Sequence, residues 1–187
     1  MAMLSTLLVA CDGQKAEPLA VKGTDITGAR FGGDFTLTDH RGKQRALSEF
    51  RGKVVVLFFG YTHCPDVCPT TMMEYANAIK LLGKQAEEVQ LLFVTVDPKR
   101  DTPAVLANYV PYFNPHFIGL TGAEDELQKV LTQFKIVALR VPDSNGGYMI
   151  DHSAGSYLFD KKGRLRVYEP YAMNASALSY DIRELLR

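Results

Sequence analysis

The chain has 187 residues, 47% hydrophobic and 22% charged, with 21 Lys+Arg against 21 Asp+Glu. That is the profile of one globular domain, not of a disordered, collagen-like or multiply membrane-spanning chain. A formal charge of zero supplies no basic surplus for a nucleic-acid backbone or an anionic bilayer, and cysteines at positions 11, 64 and 68 alone are too few for a disulfide-built scaffold.

Met1–Ala10 is uncharged, mostly apolar and too short to cross a bilayer as a helix; it runs directly into Cys11 and the polar stretch Asp12–Pro18. Leu8-Val9-Ala10-Cys11 resembles the lipobox of bacterial lipoproteins, although no Lys or Arg precedes it. On that resemblance residues 1–10 are a signal segment and Cys11 is the lipidated residue. Asp12 resembles the signal that keeps enterobacterial lipoproteins on the inner membrane. Residues 11–30, without apolar periodicity, read as a tether, and 31–187 as the folded domain.

Phe35–Thr38 alternates, Asp39–Gly42 is a turn and Gln44–Leu47 returns, which predicts an opening hairpin. Val54–Phe59 is a continuous apolar, β-branched run of the kind buried on both faces of a sheet. After a cysteine-bearing loop, Pro69 suits the first turn of a helix whose Met72, Tyr75, Ile79 and Leu82 recur at helical spacing. Val89–Val96 is a second buried strand, and Thr102-Pro103 opens a short helix to about Tyr112. Phe117–Leu120 is strand-like, and Ala123–Phe134 is an amphipathic helix whose acidic start suits the helix dipole. Ile136–Val141 is a strand, Pro142–Gly147 a turn-rich loop, Tyr148–Phe159 extended, Asp160–Gly163 a hairpin turn and Leu165–Tyr168 its return. Asn174 caps a final helix to Leu186. This order predicts an α/β thioredoxin-like fold. A central mixed β-sheet is flanked by helices, with an N-terminal β-hairpin and an inserted hairpin or loop before the C-terminal strands.

Chemistry concentrates in Phe59-Gly-Tyr-Thr-His-Cys64-Pro-Asp-Val-Cys68-Pro-Thr70, between a buried strand and a helix start. Free N–H groups and the dipole there favour thiolate over thiol. Two cysteines at this spacing can stand with Cα atoms about 6 Å apart, compatible with a disulfide or with two sulfurs on one metal ion.

Gly60–Pro69, then Val94–Pro103, Gly119–Gly122, Ile150-Asp-His-Ser153 and Tyr157–Asp160 together resemble the signature set of the Sco/SenC family, from about Phe35 to the C-terminus. The resemblance implies a thioredoxin-like fold with an extra hairpin. It also implies a membrane-anchored copper protein that helps assemble the dinuclear copper centre of cytochrome c oxidase. Its ligand set implies Cys64, Cys68 and His152, with a Cys64–Cys68 disulfide when oxidised. Two thiolates and an imidazole suit Cu(I) and, with a weak oxygen ligand, Cu(II); zinc accepts the same donors. Asp151 could orient the His152 ring, although neighbours on a strand face opposite ways, and His63 could tune the Cys64 thiolate.

Thioredoxin-like oxidoreductases carry a cis-proline opposite their cysteines, and the matching stretch Met149–Gly155 holds no proline. A ligating histidine there fits copper binding better than general disulfide exchange. His40 and His116 read as surface residues, Met72 and Met73 as core packing, and Asp66 as a loop-shaping or partner-facing residue. Asp97–Pro103 reads either as a docking rim or as a helix cap. The leading expectation is a metallochaperone that takes copper from a periplasmic donor and meets the copper-bearing oxidase subunit, lipid-anchored on the periplasmic face of the bacterial cytoplasmic membrane. The alternative is a tethered thiol-disulfide reductase, in which Cys64 and Cys68 are the redox-active pair acting on the oxidase's copper-ligand cysteines. A thiol peroxidase is disfavoured, because nothing pairs the cysteine with an Arg and Thr.

Overall fold

The computed structural model describes residues 18–143 and 146–187. In chain order the strands are β1 (Thr24–Asp25), β2 (Thr36–Asp39), β3 (Gln44–Ala46), β4 (Val54–Gly60), β5 (Val89–Thr95), β6 (Ile118–Thr121), β7 (Ala138–Pro142), β8 (Tyr148–His152), β9 (Ser156–Phe159) and β10 (Leu165–Glu169). The helices are α1 (Val67–Leu81), α2 (Pro103–Phe113), α3 (Glu124–Gln133) and α4 (Ala175–Leu186). Eight strands form one sheet in the order β1-β10-β9-β4-β5-β6-β2-β3, and β7 pairs only with β8. The β4, β5 and β6 strands are parallel, and the remaining pairings are antiparallel.

The two apolar runs behave as their composition dictates. Every residue of β4 and β5 is buried, and the two strands run side by side from Val54–Val89 to Gly60–Thr95. Successive side chains alternate between the two sheet faces. Phe58 meets Phe93, which meets Tyr109 of α2, whereas Phe59 meets Phe134 at the end of α3. The α1 helix packs on both α2 and α4. Parallel neighbours joined through right-handed crossovers place successive helices on one face, and Phe134 closes the other. The predicted caps form: Asn174 accepts from the Ala177 amide at 3.0 Å, and Thr102 from that of Val105 at 3.4 Å.

The first helix begins at Val67, so Pro69 lies in its first turn as expected, and Cys68 beside it. Four local expectations change. The extended stretch 148–159 divides at 153–155 into β8 and β9, which belong to different sheets, and β7 begins at Ala138 rather than Ile136. His40 is buried rather than superficial: its Nδ1 accepts the Gly119 amide at 3.0 Å across the β2–β6 junction, and burial holds its pKa below the ordinary value. The described part of the 11–30 stretch is docked rather than free. Thr24 and Asp25 pair with Tyr168 and Val167, and Asp181 of α4 accepts the Lys22 and Gly23 amides at 2.7 Å. A buried carboxylate that satisfies two backbone amides holds the segment, and Leu19, Val21 and Ile26 pack against the core beside it.

Candidate metal centre

The β4 strand ends at Gly60, from which the chain turns through Tyr61–Asp66 into α1. Gly60 is required by a close approach: a Cβ there would stand 2.9 Å from the Cys68 sulfur and 3.0 Å from the Phe93 ring. Helix α1 thereby lays Cys68 directly on the end of the central strand, where it is fully buried. Cys64 lies one turn outside and is half-buried. Its sulfur accepts the Cys68 amide at 3.4 Å, one of the unsatisfied donors of a helix N-terminus. Both cysteines are free thiols.

His152, the last residue of β8, reaches this pair from a different sheet. Its Nε2 lies 3.4 Å from the Cys68 sulfur, and its Nδ1 lies 2.9 Å from the Ser153 carbonyl oxygen. A carbonyl can only accept, so Nδ1 carries the proton and Nε2 is left as the donor atom for a metal. One atom each from Cys64, Cys68 and His152 lies within 4.8 Å of the others, and no other group of this kind occurs among the described residues. The donors fit a soft, thiolate-preferring cation.

The two sulfurs are electrostatically unequal. The Cys68 thiol donates to Cys64, and the Cys68 and Asp66 amides and the His152 ring add to this. Together they outweigh burial and hold Cys64 down to about 5. Cys68 is displaced strongly upward, first because it donates to the Cys64 sulfur and then because it is buried. At neutral pH the pair holds one thiolate, exposed enough to meet an incoming ion, and one buried thiol that loses its proton as a metal binds.

Residues outside the two motif cysteines set this geometry. Asp101 has no exposed surface and accepts from the Thr62 amide at 3.0 Å, the Thr62 hydroxyl at 2.6 Å and the Thr95 hydroxyl at 2.6 Å. It therefore ties the cysteine loop to the end of β5. Asp97, equally buried, pairs with Arg100 and accepts from the Tyr148 hydroxyl at 2.8 Å. Arg100 donates to the Tyr148 carbonyl at 2.8 Å and stacks 3.8 Å from the Tyr148 ring centroid. Tyr61 completes the tie: its hydroxyl oxygen accepts the Ile150 amide at 3.2 Å, and its ring stands edge-on to that of His152. The Asp97–Pro103 stretch is thus chiefly an internal brace, with Thr102 the cap of α2. The sequence marks it as charged and strand-terminal, but its partner Tyr148 lies too far along the chain for any spacing rule.

The other candidate residues are placed as follows. His63 is exposed, with Nδ1 3.0 Å from the Thr62 hydroxyl and 4.0 Å from Asp101. Asp151 pairs across the hairpin with Leu139 and faces solvent, and the Ser153 carbonyl, not Asp151, meets the His152 ring. Asp66 precedes α1 and accepts from the Thr70 hydroxyl at 3.3 Å. Met72 is fully buried and Met73 is 43% exposed, so only Met72 packs in the core. His116 is exposed, and Cys11 lies outside the described residues. No helix among the described residues is long and apolar enough to cross a membrane.

A family model described as SCO1/SenC matches residues 23–187. A SCO2-like protein of Rickettsia felis is 41% identical over 137 residues, 72% of this chain and 67% of its own. The copper-bound structure of ScoI from Bradyrhizobium japonicum is 41% identical, covers 83% of this chain and 99% of its own, and superposes with a TM-score of 0.77. The structure of BsSco, described as having a disulfide switch and as a member of the Sco family of cytochrome c oxidase assembly proteins, shares the fold. It is 20% identical, covers 86% of this chain and 95% of its own, and has a TM-score of 0.67.

Proposed function

The chain belongs to the SCO1/SenC family, and from that premise we propose that it is a copper metallochaperone for assembly of the dinuclear copper centre of cytochrome c oxidase. The observation that carries this reading is the convergence onto one point of Cys64 and Cys68, from the turn between β4 and α1, and His152, from the separate β7–β8 sheet. Copper is the cargo. Two thiolates and one imidazole would hold Cu(I) three-coordinate, and a partner thiolate could then enter while one donor leaves. The relative with copper bound supports the choice of metal. The expected recipient is the copper-bearing oxidase subunit, and the expected source is a periplasmic donor. The Leu8–Cys11 tetrad supports a lipid anchor at Cys11 on the outer face of the cytoplasmic membrane.

Anaerobic titration of the reduced protein with Cu(I) against a strong competing chelator, in wild type and in His152→Ala, tests the proposal. Wild type should compete with the chelator and the variant should bind more weakly. Equal affinities, or a wild type that loses to a weak chelator, would overturn it.

One observation supports a reductase as the second reading: a half-buried thiolate poised over a buried thiol is also the arrangement of a disulfide-reducing pair. That activity needs Cys64 and Cys68 but not the imidazole. Undiminished reduction of a vicinal disulfide peptide by His152→Ala, with copper binding already lost to a weak chelator, would favour it.

A further inference from the structure

The end of the sheet opposite the cysteines holds a cavity of about 590 Å³. Arg51, Arg164 and Arg166 line it together with apolar residues that include Phe31, Leu47 and Leu165. Arg166 is 6% exposed, and its Nε donates to the Thr27 hydroxyl at 2.8 Å. Arg164 and Arg166 both pair with the single carboxylate of Asp160, at 2.7 and 3.2 Å. Asp160 also accepts the backbone amides of Lys162 and Arg164. Asp34, the other acid at this cavity, accepts the Phe35 and Ser48 amides. Arg51 lies close enough to Asp34 to help hold its carboxyl below the ordinary value, and its stem lies against Gly163. Arg166 acts in the same way on Asp25, which accepts the Leu19 and Thr27 amides, so three guanidinium groups stand among three carboxylates that are already hydrogen-bonded.

An excess of positive charge comes from the turns beside the cavity. The Gly52 amide donates to the Lys161 carbonyl at 2.8 Å, which brings the β3–β4 connection against the β9–β10 turn. Arg51 and Lys53 from one segment thus join Lys161, Lys162 and Arg164 from the other, with Lys161 paired to Glu88 at 2.7 Å. With Arg166, six cationic groups stand among the four carboxylates of Asp25, Asp34, Glu88 and Asp160. A guanidinium fork matches the oxygens of a tetrahedral oxyanion, and the apolar lining residues accommodate an organic group attached to it.

We propose that this cavity binds a phosphate group, carried either as free phosphate or as the headgroup of an anionic phospholipid. The seven-residue strand β4 separates it from the cysteine loop by about 20 Å, so an occupant would leave the thiolates open. On an anionic membrane surface the same contact would point the metal centre away from the lipid.

The test uses the full chain, as wild type, Arg51→Gln and the double variant Arg51→Gln/Arg164→Gln. Calorimetric titration with inorganic phosphate is compared with flotation on phosphatidylcholine vesicles with and without phosphatidylglycerol. Any lipid anchor contributes equally to all three proteins, and Cu(I) binding at the far end reports that each is folded. We expect saturable binding that weakens about tenfold or more in the double variant. Arginine-dependent binding of phosphate without preference for phosphatidylglycerol assigns free phosphate. Arginine-dependent preference for phosphatidylglycerol assigns the headgroup. Absence of both, or binding that persists unchanged in the folded double variant, overturns the proposal.

Discussion

The cysteine loop and the histidine hairpin meet at one point, yet they are built on opposite principles. The loop hangs between β4, buried along its whole length, and α1, which enters the core through Cys68, Met72 and Tyr75. Asp101 ties it down from a third direction. The hairpin is a two-stranded sheet by itself, a form of marginal stability in water. Its outer face exposes Leu139, Val141 and Met149, and a cavity of about 220 Å³ lies between its inner residues, Ala138 and Ile150, and α3. Apart from the burial of Ile150, a handful of polar ties fix it: Arg100 and Asp97 to Tyr148, Tyr61 to Ile150, and Arg140 to Glu124 at 3.0 Å. The two sulfurs are therefore positioned by the core, and the imidazole by the smaller of the two sheets. In the proposed chaperone, this would place the adjustable donor on the element expected to open at lower free energy than β4 and α1.

Breaking each half separately gives effects of decreasing size. Cys64→Ala or Cys68→Ala should abolish competition for Cu(I) against a strong chelator, whereas His152→Ala should weaken it by about tenfold or more while the thiolates still hold the ion. Equal losses from all three would contradict the division. Asp101→Ala should lower unfolding free energy by about 1–3 kcal/mol in denaturant titration, because Thr62 and Thr95 lose their shared buried acceptor. Asp101→Asn should recover part of this. Tyr148→Phe and Arg100→Gln should each loosen the hairpin by about 1 kcal/mol. Amide hydrogen exchange should then show lost protection at Ile150 with β4 and α1 unchanged, and a parallel loss in β4 would mean that the hairpin is not an independent unit.

A pH-dependent effect serves as a control remote from both regions. Burial, reinforced by the neighbouring Asp181 carboxylate, pushes Glu169 up to about 9 from its ordinary 4.5. A carboxyl that stays protonated in the fold but ionises in the unfolded chain contributes fully below pH 4.5, and that stability is lost as pH rises towards 9. The difference in melting temperature between Glu169→Gln and wild type should grow in favour of the variant between pH 5 and pH 9. Cys64, held down, contributes with the opposite slope over the same interval, but it is common to both proteins and cancels in the difference.

What could be read without coordinates follows from how far each cause reaches along the chain. The β4 and β5 runs, the caps at Thr102 and Asn174 and the helix beyond the cysteines depend on neighbours within a turn or a strand, and they stand where the pattern put them, within one or two residues. Cys64 and Cys68 announce themselves by spacing. His152 does not; only the resemblance of several separated blocks to a known family drew it to them. The burial of His40, the docking of residues 22–25 on Asp181 and β10, and the brace of Asp97 and Arg100 on Tyr148 carry no local signal at all.

Net charge shows the limit most clearly. Counting residues gave a neutral chain with no surplus for an anion, and the count is correct. Only the folded chain brings Arg51 against Gly163 and sets Arg164 and Arg166 on one carboxylate. Composition sums charge over the whole chain, whereas binding depends on charge within a few ångströms, and that distance is set by which strands pair. The sequence alone determined the two sulfurs, their helix start and the buried strands that carry them. Tertiary structure decided that an imidazole from a second sheet would meet those sulfurs, and that arginines far apart in the chain would line one cavity.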